Sequence, residues 1–124
     1  MPEVLVIDDS PDLRNILAFT LGDLGMSVRQ AKDGIDALAV LADYVPDCIV
    51  LDLMMPDMDG FKFLTEMRHR KLAPDSLVVI LSSKDDERTM TRGFEMKADE
   101  FFMKPVDPDV VAQKIAALIG ASAD

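Results

Sequence analysis

The sequence predicts a single doubly wound α/β domain, five βα units around a parallel five-stranded sheet of order 2-1-3-4-5. Two observations predict the class and a third predicts the order. Short apolar runs, "VLVI" (4–7), "MSVRQA" (26–31), "CIVLDL" (48–53), "LVVIL" (77–81) and "EFFM" (100–103), alternate with segments of helical apolar spacing. Strands separated by helix-length segments need crossover connections, and such crossovers build a parallel sheet. The first, third and fourth runs are almost continuously apolar, as strands covered on both faces should be. The second alternates apolar with polar residues and the fifth is short, which puts these two at the edges. In a sheet of this order the ligand crevice lies beyond the carboxyl ends of the strands, at the switch point between the first and the third.

Each connecting segment carries helix punctuation. Ser10 can cap the first helix, Pro11 suits its first position and Gly25 follows its end. Its apolar positions are Leu13, Ile16, Leu17, Leu21 and Leu24; those of the second helix are Ile35, Leu38 and Leu41. Asp59 can cap the third helix through the free N–H groups one turn on. The helix after Asp86 is the weakest, because an interior glycine such as Gly93 costs about 1 kcal/mol relative to alanine. Asp107 and Pro108 repeat the start signal for the last helix, with Gly120 expected past its end.

A chain of 124 residues fits one domain spanning 1–124, with a core that needs no disulfide or structural metal. The single Cys48 offers neither a disulfide nor a zinc-ligand spacing and is expected to be a small core residue. No signal peptide or membrane-length apolar run is present, so the expected location is cytoplasmic, with no membrane partner. Thirteen Lys and Arg against 23 Asp and Glu give a net charge of -10, which disfavours direct nucleic-acid binding.

The chemistry gathers at the strand ends. The first strand runs into Asp8-Asp9, the third into Asp52, the fourth into Ser82-Ser83 and the fifth into Lys104-Pro105. Three carboxylates, a hydroxyl and an ammonium on four strands are thereby aimed at one crevice. Two like charges about 4 Å apart repel by about 4 kcal/mol at an effective dielectric near 20. Three carboxylates beside a single lysine must therefore take up protons or bind a cation. A hard divalent ion such as Mg²⁺, which needs only one or two carboxylates plus waters and phosphate oxygens, suits the site. A metal-bound carboxylate beside a hydroxyl and a lysine points to phosphoryl chemistry, in which positioning and positive charge do most of the catalysis. Asp52, entering from the central strand, is the best candidate nucleophile for an acyl phosphate.

These residues resemble the receiver domain of two-component response regulators, the CheY-like type. "DD" (8–9), "DLMMPDMDG" (52–60), "LSSKDD" (81–86) and "KP" (104–105) occur in order along the chain. The resemblance implies a flavodoxin/CheY-like fold and phosphorylation of Asp52 by a histidine kinase or a histidine phosphotransfer protein. It implies that Asp9, Asp52 and the backbone carbonyl of Met54 ligate Mg²⁺, with Asp8 acting largely through water. It implies that Ser82 and Lys104 contact the phosphoryl group, that Pro105 follows a cis peptide and that Phe101 occupies the switch-aromatic position. Output is then expected through the face formed by the fourth helix, fifth strand and fifth helix.

The sequence departs from that pattern in places. Phe101 lacks the hydroxyl of the tyrosine often found there, so rotamer coupling can survive while its hydrogen bond cannot. Ser83 replaces a smaller residue and narrows access to the acceptor. Lys97 stands where glycine is common; if its φ is positive it costs on the order of 1–2 kcal/mol. His69, in "RHRK", is expected to be a solvated helix end. The nine Met residues are mostly core filler, although Met54, Met55 and Met58 crowd the acceptor loop. Lys84, Arg88 and Arg92 recur every four residues and form either a solvated stripe or a partner face.

The expected function is a stand-alone phosphorylation switch, a monomer or weak dimer, that catalyses only its own phosphorylation and dephosphorylation and signals to a protein partner without an output domain. A receiver fragment of a larger regulator is the alternative. An Asp-nucleophile phosphatase of the haloacid dehalogenase type fits less well, because such enzymes carry D-x-D on the first strand and Asp52 is followed by Leu53-Met54.

Overall fold

The computed structural model describes residues 1–55, 58–83 and 87–122. The elements run β1(Glu3–Ile7), α1(Pro11–Asp23), β2(Ser27–Ala31), α2(Gly34–Leu41), β3(Cys48–Asp52), α3(Gly60–His69), β4(Leu77–Ser82), α4(Glu87–Glu95), β5(Glu100–Met103) and α5(Pro108–Ser122). The strands form one sheet in the order β2-β1-β3-β4-β5, and all four pairings are parallel. The predicted edges and centre are therefore those observed. None of the described helices is long and apolar enough to cross a membrane.

Strand alternation divides the core in two, because successive side chains leave a strand on opposite faces. Leu5, Ile7, Ile49, Leu51, Val78 and Ile80 join Leu38 and Leu41 of α2 and Phe63, Leu64 and Met67 of α3. Val4, Val6, Val50, Val79 and Leu81 meet Leu17 and Leu21 of α1 and Val111, Ala112 and Ile115 of α5 on the other face. Both faces of the three central strands are thus buried, which is why those runs read as continuously apolar.

Local hydrogen bonds set the helix starts. Ser10 accepts from the Leu13 N–H at 3.3 Å, Asp33 from Asp36 at 2.8 Å and Asp59 from Lys62 at 2.9 Å. Asp107 accepts from the Asp109 N–H at 2.9 Å ahead of α5. Gly25, at φ 87°, turns the chain out of α1.

Several expectations fail. Ile16, Leu24 and Ile35 are about half exposed rather than core. Helix α1 packs beside α5 and buries only the narrow stripe through Leu17 and Leu21, so Ile16 falls at its margin and Leu24 is already the C-cap. Gly120 lies inside α5, which continues to Ser122, rather than past its end. Gly93, the interior glycine expected to weaken the fourth helix, does lie inside α4 and is buried. A Cβ there would sit 3.1 Å from Ile80 Cδ1 and 3.6 Å from the Phe101 ring, so its bareness lets α4 approach the sheet. Lys97 does adopt positive φ, 68°. Lys84 lies outside the described residues.

Candidate functional site

The carboxyl ends of β1, β3, β4 and β5 meet at one end of the sheet, and each delivers a side chain there. Asp8, immediately after β1, is fully buried. Its Oδ1 accepts the Ser10 N–H at 2.9 Å and its Oδ2 receives Lys104 Nζ at 2.9 Å. Asp9, next in the chain, is exposed. Asp52, the last residue of β3, is 1 % exposed; its Oδ1 accepts the Met54 N–H at 3.0 Å and its Oδ2 lies 3.4 Å from Lys104 Nζ. Ser82 ends β4, fully buried, and its carbonyl accepts the Lys104 N–H at 2.8 Å. The Lys104–Pro105 bond is cis.

One oxygen from each of Asp8, Asp9 and Asp52 lies within 4.8 Å of the others. Lys104 supplies a single positive charge among them. Burial is the largest influence on Asp52 and, with the charge of Asp8, pushes its pKa up to about 6 against the opposing Met54 hydrogen bond and Lys104. Burial also pulls Lys104 down, but its hydrogen bond to Asp8 and the charges of Asp52 and Asp8 outweigh that, leaving it above the usual lysine value. The cluster is thus short of positive charge and rich in hard oxygen donors. Such a donor set suits a hard divalent cation, and Asp8, Asp9 and Asp52 are close enough together to hold one.

The other sequence candidates fall nearby or elsewhere. Met54 lies just beyond β3 with a half-exposed side chain, while Met55 is buried. Phe101 sits on β5, in register with Ile80 and partly buried against α4, three residues back from Lys104. Ser83 is exposed. His69 is exposed in the last turn of α3. Cys48 is buried at the far end of β3, its thiol pushed up to about 12 by burial, which leaves it inert.

Sequence reasoning misses two supporting residues. Arg14 Nη1 donates to the Asp8 carbonyl at 2.6 Å and braces the turn between β1 and α1; nothing in its spacing signals this. Gly60 opens α3 directly over the end of β3. A Cβ there would lie 2.8 Å from Leu53 Cα and 3.0 Å from the Asp52 carbonyl oxygen, while its N–H donates to the Leu53 carbonyl at 3.0 Å. A glycine in the first turn of a helix is a poor helix former, and that was its readable signal.

Comparison with known proteins agrees with this arrangement. The response regulator receiver domain family model matches residues 4–116. The DNA-binding dual master transcriptional regulator RpaA of Synechocystis is 34% identical over 119 residues, covering 96% of this chain and 49% of that protein. The transcriptional regulatory protein SrrA of Staphylococcus aureus is 32% identical over 117 residues, covering 94% of this chain and 47% of that protein. The chain spans about half the length of these curated relatives. Among solved structures, the chemotaxis protein CheY4 of Vibrio cholerae superposes with a TM-score of 0.87 at 29% identity, covering 94% of this chain and 98% of that one. The Francisella response regulator 1452 receiver domain gives 0.90 at 28%, covering 98% and 99%. With a matching sheet order, strand-end acids and family model, the chain belongs to the response regulator receiver domains of two-component systems.

Proposed function

We propose that residues 1–124 act as one receiver unit in which Asp52 is the phosphoacceptor, loaded by a histidine kinase or a histidine phosphotransfer protein. The observation that carries this reading is the Asp52 carboxylate itself: buried, fixed by the Met54 N–H and facing Lys104 among two further acids. Asp9, Asp52 and the Met54 carbonyl would hold Mg²⁺, with Asp8 acting largely through water, and the ion would supply the positive charge that the carboxylates and an incoming phosphoryl group require.

An Asp52 oxygen forms the new bond to phosphorus as the bond from phosphorus to the donor's histidine nitrogen breaks. The nitrogen keeps the electron pair and takes a proton from solvent. Lys104 starts within reach of both Asp8 and Asp52 and turns to the phosphoryl oxygens. Ser82 approaches the same group. The main-chain bond between Lys104 and Ser82 ties the ends of β4 and β5 together, so the two loops move as one. That motion reaches Phe101 and the face of α4, β5 and α5, where a protein partner reads it. The same switch serves a stand-alone protein and a receiver within a longer regulator alike.

The test is labelling. Acetyl phosphate with Mg²⁺ adds one phosphoryl group, seen as a single increment in intact mass, and Asp52→Ala loses it. Retained labelling in that variant overturns the assignment. Continuous turnover of a generic phosphate ester, in place of stoichiometric labelling, would instead mark a phosphatase.

A further inference from the structure

A cavity of about 380 Å³ lies between the residues just after β3, the start of α3 and α4, adjoining the acceptor cluster and sharing Met54 and Ser82 with it. Leu53, Met54 and Phe61 give it an apolar floor, Ser82 borders it on the acceptor side, and Arg88 and Arg92 form the wall on α4. This size sits at the lower end of ordinary small-molecule sites, which are mostly apolar with a few convergent polar groups.

Three features single out the arginine wall. Arg88 and Arg92 stand four residues apart on one helix, so their side chains share a face and repel each other. Neither makes an ion pair among the described residues, although the chain carries a net charge of -10. The Arg92 guanidinium lies 4.2 Å over the Phe61 ring, which orders it in advance and leaves its N–H edge for an acceptor. Asp59, the one acid lining the cavity among the described residues, already caps α3 through the Lys62 N–H.

We infer that this cavity is a binding site for a small organic oxyanion, its carboxylate or phosphate held by Arg88 and Arg92 and its flat apolar body against Leu53, Met54 and Phe61. A guanidinium pair matches such a group with parallel N–H donors. An anion there also relieves the repulsion between the two arginines and braces α4 at its start. One consequence rests on the reading of Asp52 as phosphoacceptor: an occupant bears on Ser82 and Met54, so it changes the rate at which Asp52 is labelled.

The probes are phenyl phosphate and benzoate, titrated into the full 124-residue chain in metal-free buffer, where the acidic cluster repels anions. Amide resonances of Leu53, Met54, Phe61 and α4 are expected to shift and saturate, and Arg88→Gln/Arg92→Gln to weaken the affinity at least tenfold. Saturation by both probes assigns the site to oxyanions at large, and saturation by phenyl phosphate alone assigns it to phosphomonoesters. Shifts that never saturate, that persist with unchanged affinity in the variant, or that centre on Asp8, Asp9 and Lys104 overturn the site. If circular dichroism shows the double variant misfolded, Arg88→Gln alone keeps the Arg92–Phe61 stack and is expected to lose threefold or more. The coupling is read separately, as an acetyl phosphate labelling rate changed at least twofold by saturating probe. An unchanged rate sinks the coupling and leaves the site standing. Failure of Asp52 to label at all sinks the acceptor reading, while the binding titration still decides the site.

Discussion

Asp52 is an acid that the fold keeps at a cost. Burial and the neighbouring Asp8 raise its pKa to about 6, well above the usual aspartate value. A group whose folded pKa is raised contributes its full stability below the unfolded pKa, near 4, and loses it as the pH climbs through the folded value. Metal-free protein should therefore lose stability between about pH 4 and 7, on the order of 1–3 kcal/mol from this residue. Asp52→Asn keeps an oxygen for the Met54 N–H and removes the charge. Its melting temperature at pH 7.5 without metal should exceed that of the wild type, with a flatter profile below pH 7. A variant that melts at or below the wild type at pH 7.5 would mean that Lys104 already neutralises the cluster. That outcome would remove the electrostatic reason for a cation.

Two glycines make opposite demands on the helices that carry them. At Gly60 an added methyl group meets the backbone of Leu53 and Asp52, which cannot yield without moving the end of β3. Gly60→Ala should cost about 2–3 kcal/mol in urea unfolding, as overpacking of a fixed site does. At Gly93 the nearest atom is the tip of the Ile80 side chain, which can shift, and alanine gains about 1 kcal/mol of helix propensity. Gly93→Ala should stay within about 1 kcal/mol of wild type, and equal losses at the two positions would refute the distinction. The same contrast marks what was legible in the sequence. Strand order, the caps at Ser10 and Asp59, and Asp8, Asp9, Asp52, Ser82 and Lys104 as strand-end groups were readable, because period-2 alternation and short-range hydrogen bonds leave their mark in neighbouring letters. Exposure of Ile16, Leu24 and Ile35 was not, since spacing gives the direction of a helix face and not its width. Nor were Gly60's closeness to Leu53 and the Arg14 bond to Asp8, for each depends on how two elements meet. The positive φ of Lys97 is a third case, a turn geometry that its side chain does nothing to announce.

At the scale of the molecule, the net charge of -10 sets two different expectations for salt and for a divalent ion. Simple screening weakens the repulsion between exposed acids spread over the surface, and any salt at the same ionic strength provides it. A cation held by Asp8, Asp9 and Asp52 acts at one place and adds stability as RT ln(1 + [Mg²⁺]/Kd), about 2.7 kcal/mol at a concentration 100 times Kd. Mg²⁺ should therefore raise the melting temperature at pH 7.5 beyond what NaCl of matched ionic strength achieves. Asp9 separates the two effects, because it is the exposed member of the cluster and, among the described residues, the hydrogen bonds of Asp8 and Asp52 run to Ser10, Met54 and Lys104. Asp9→Asn should leave the metal-free melting temperature unchanged or slightly higher, since one repulsive charge is gone, yet lose most of the gain from Mg²⁺. If Mg²⁺ and matched NaCl raise the wild-type melting temperature equally, or if Asp9→Asn responds to Mg²⁺ as the wild type does, the ion acts through the general field and the acidic cluster is not its site.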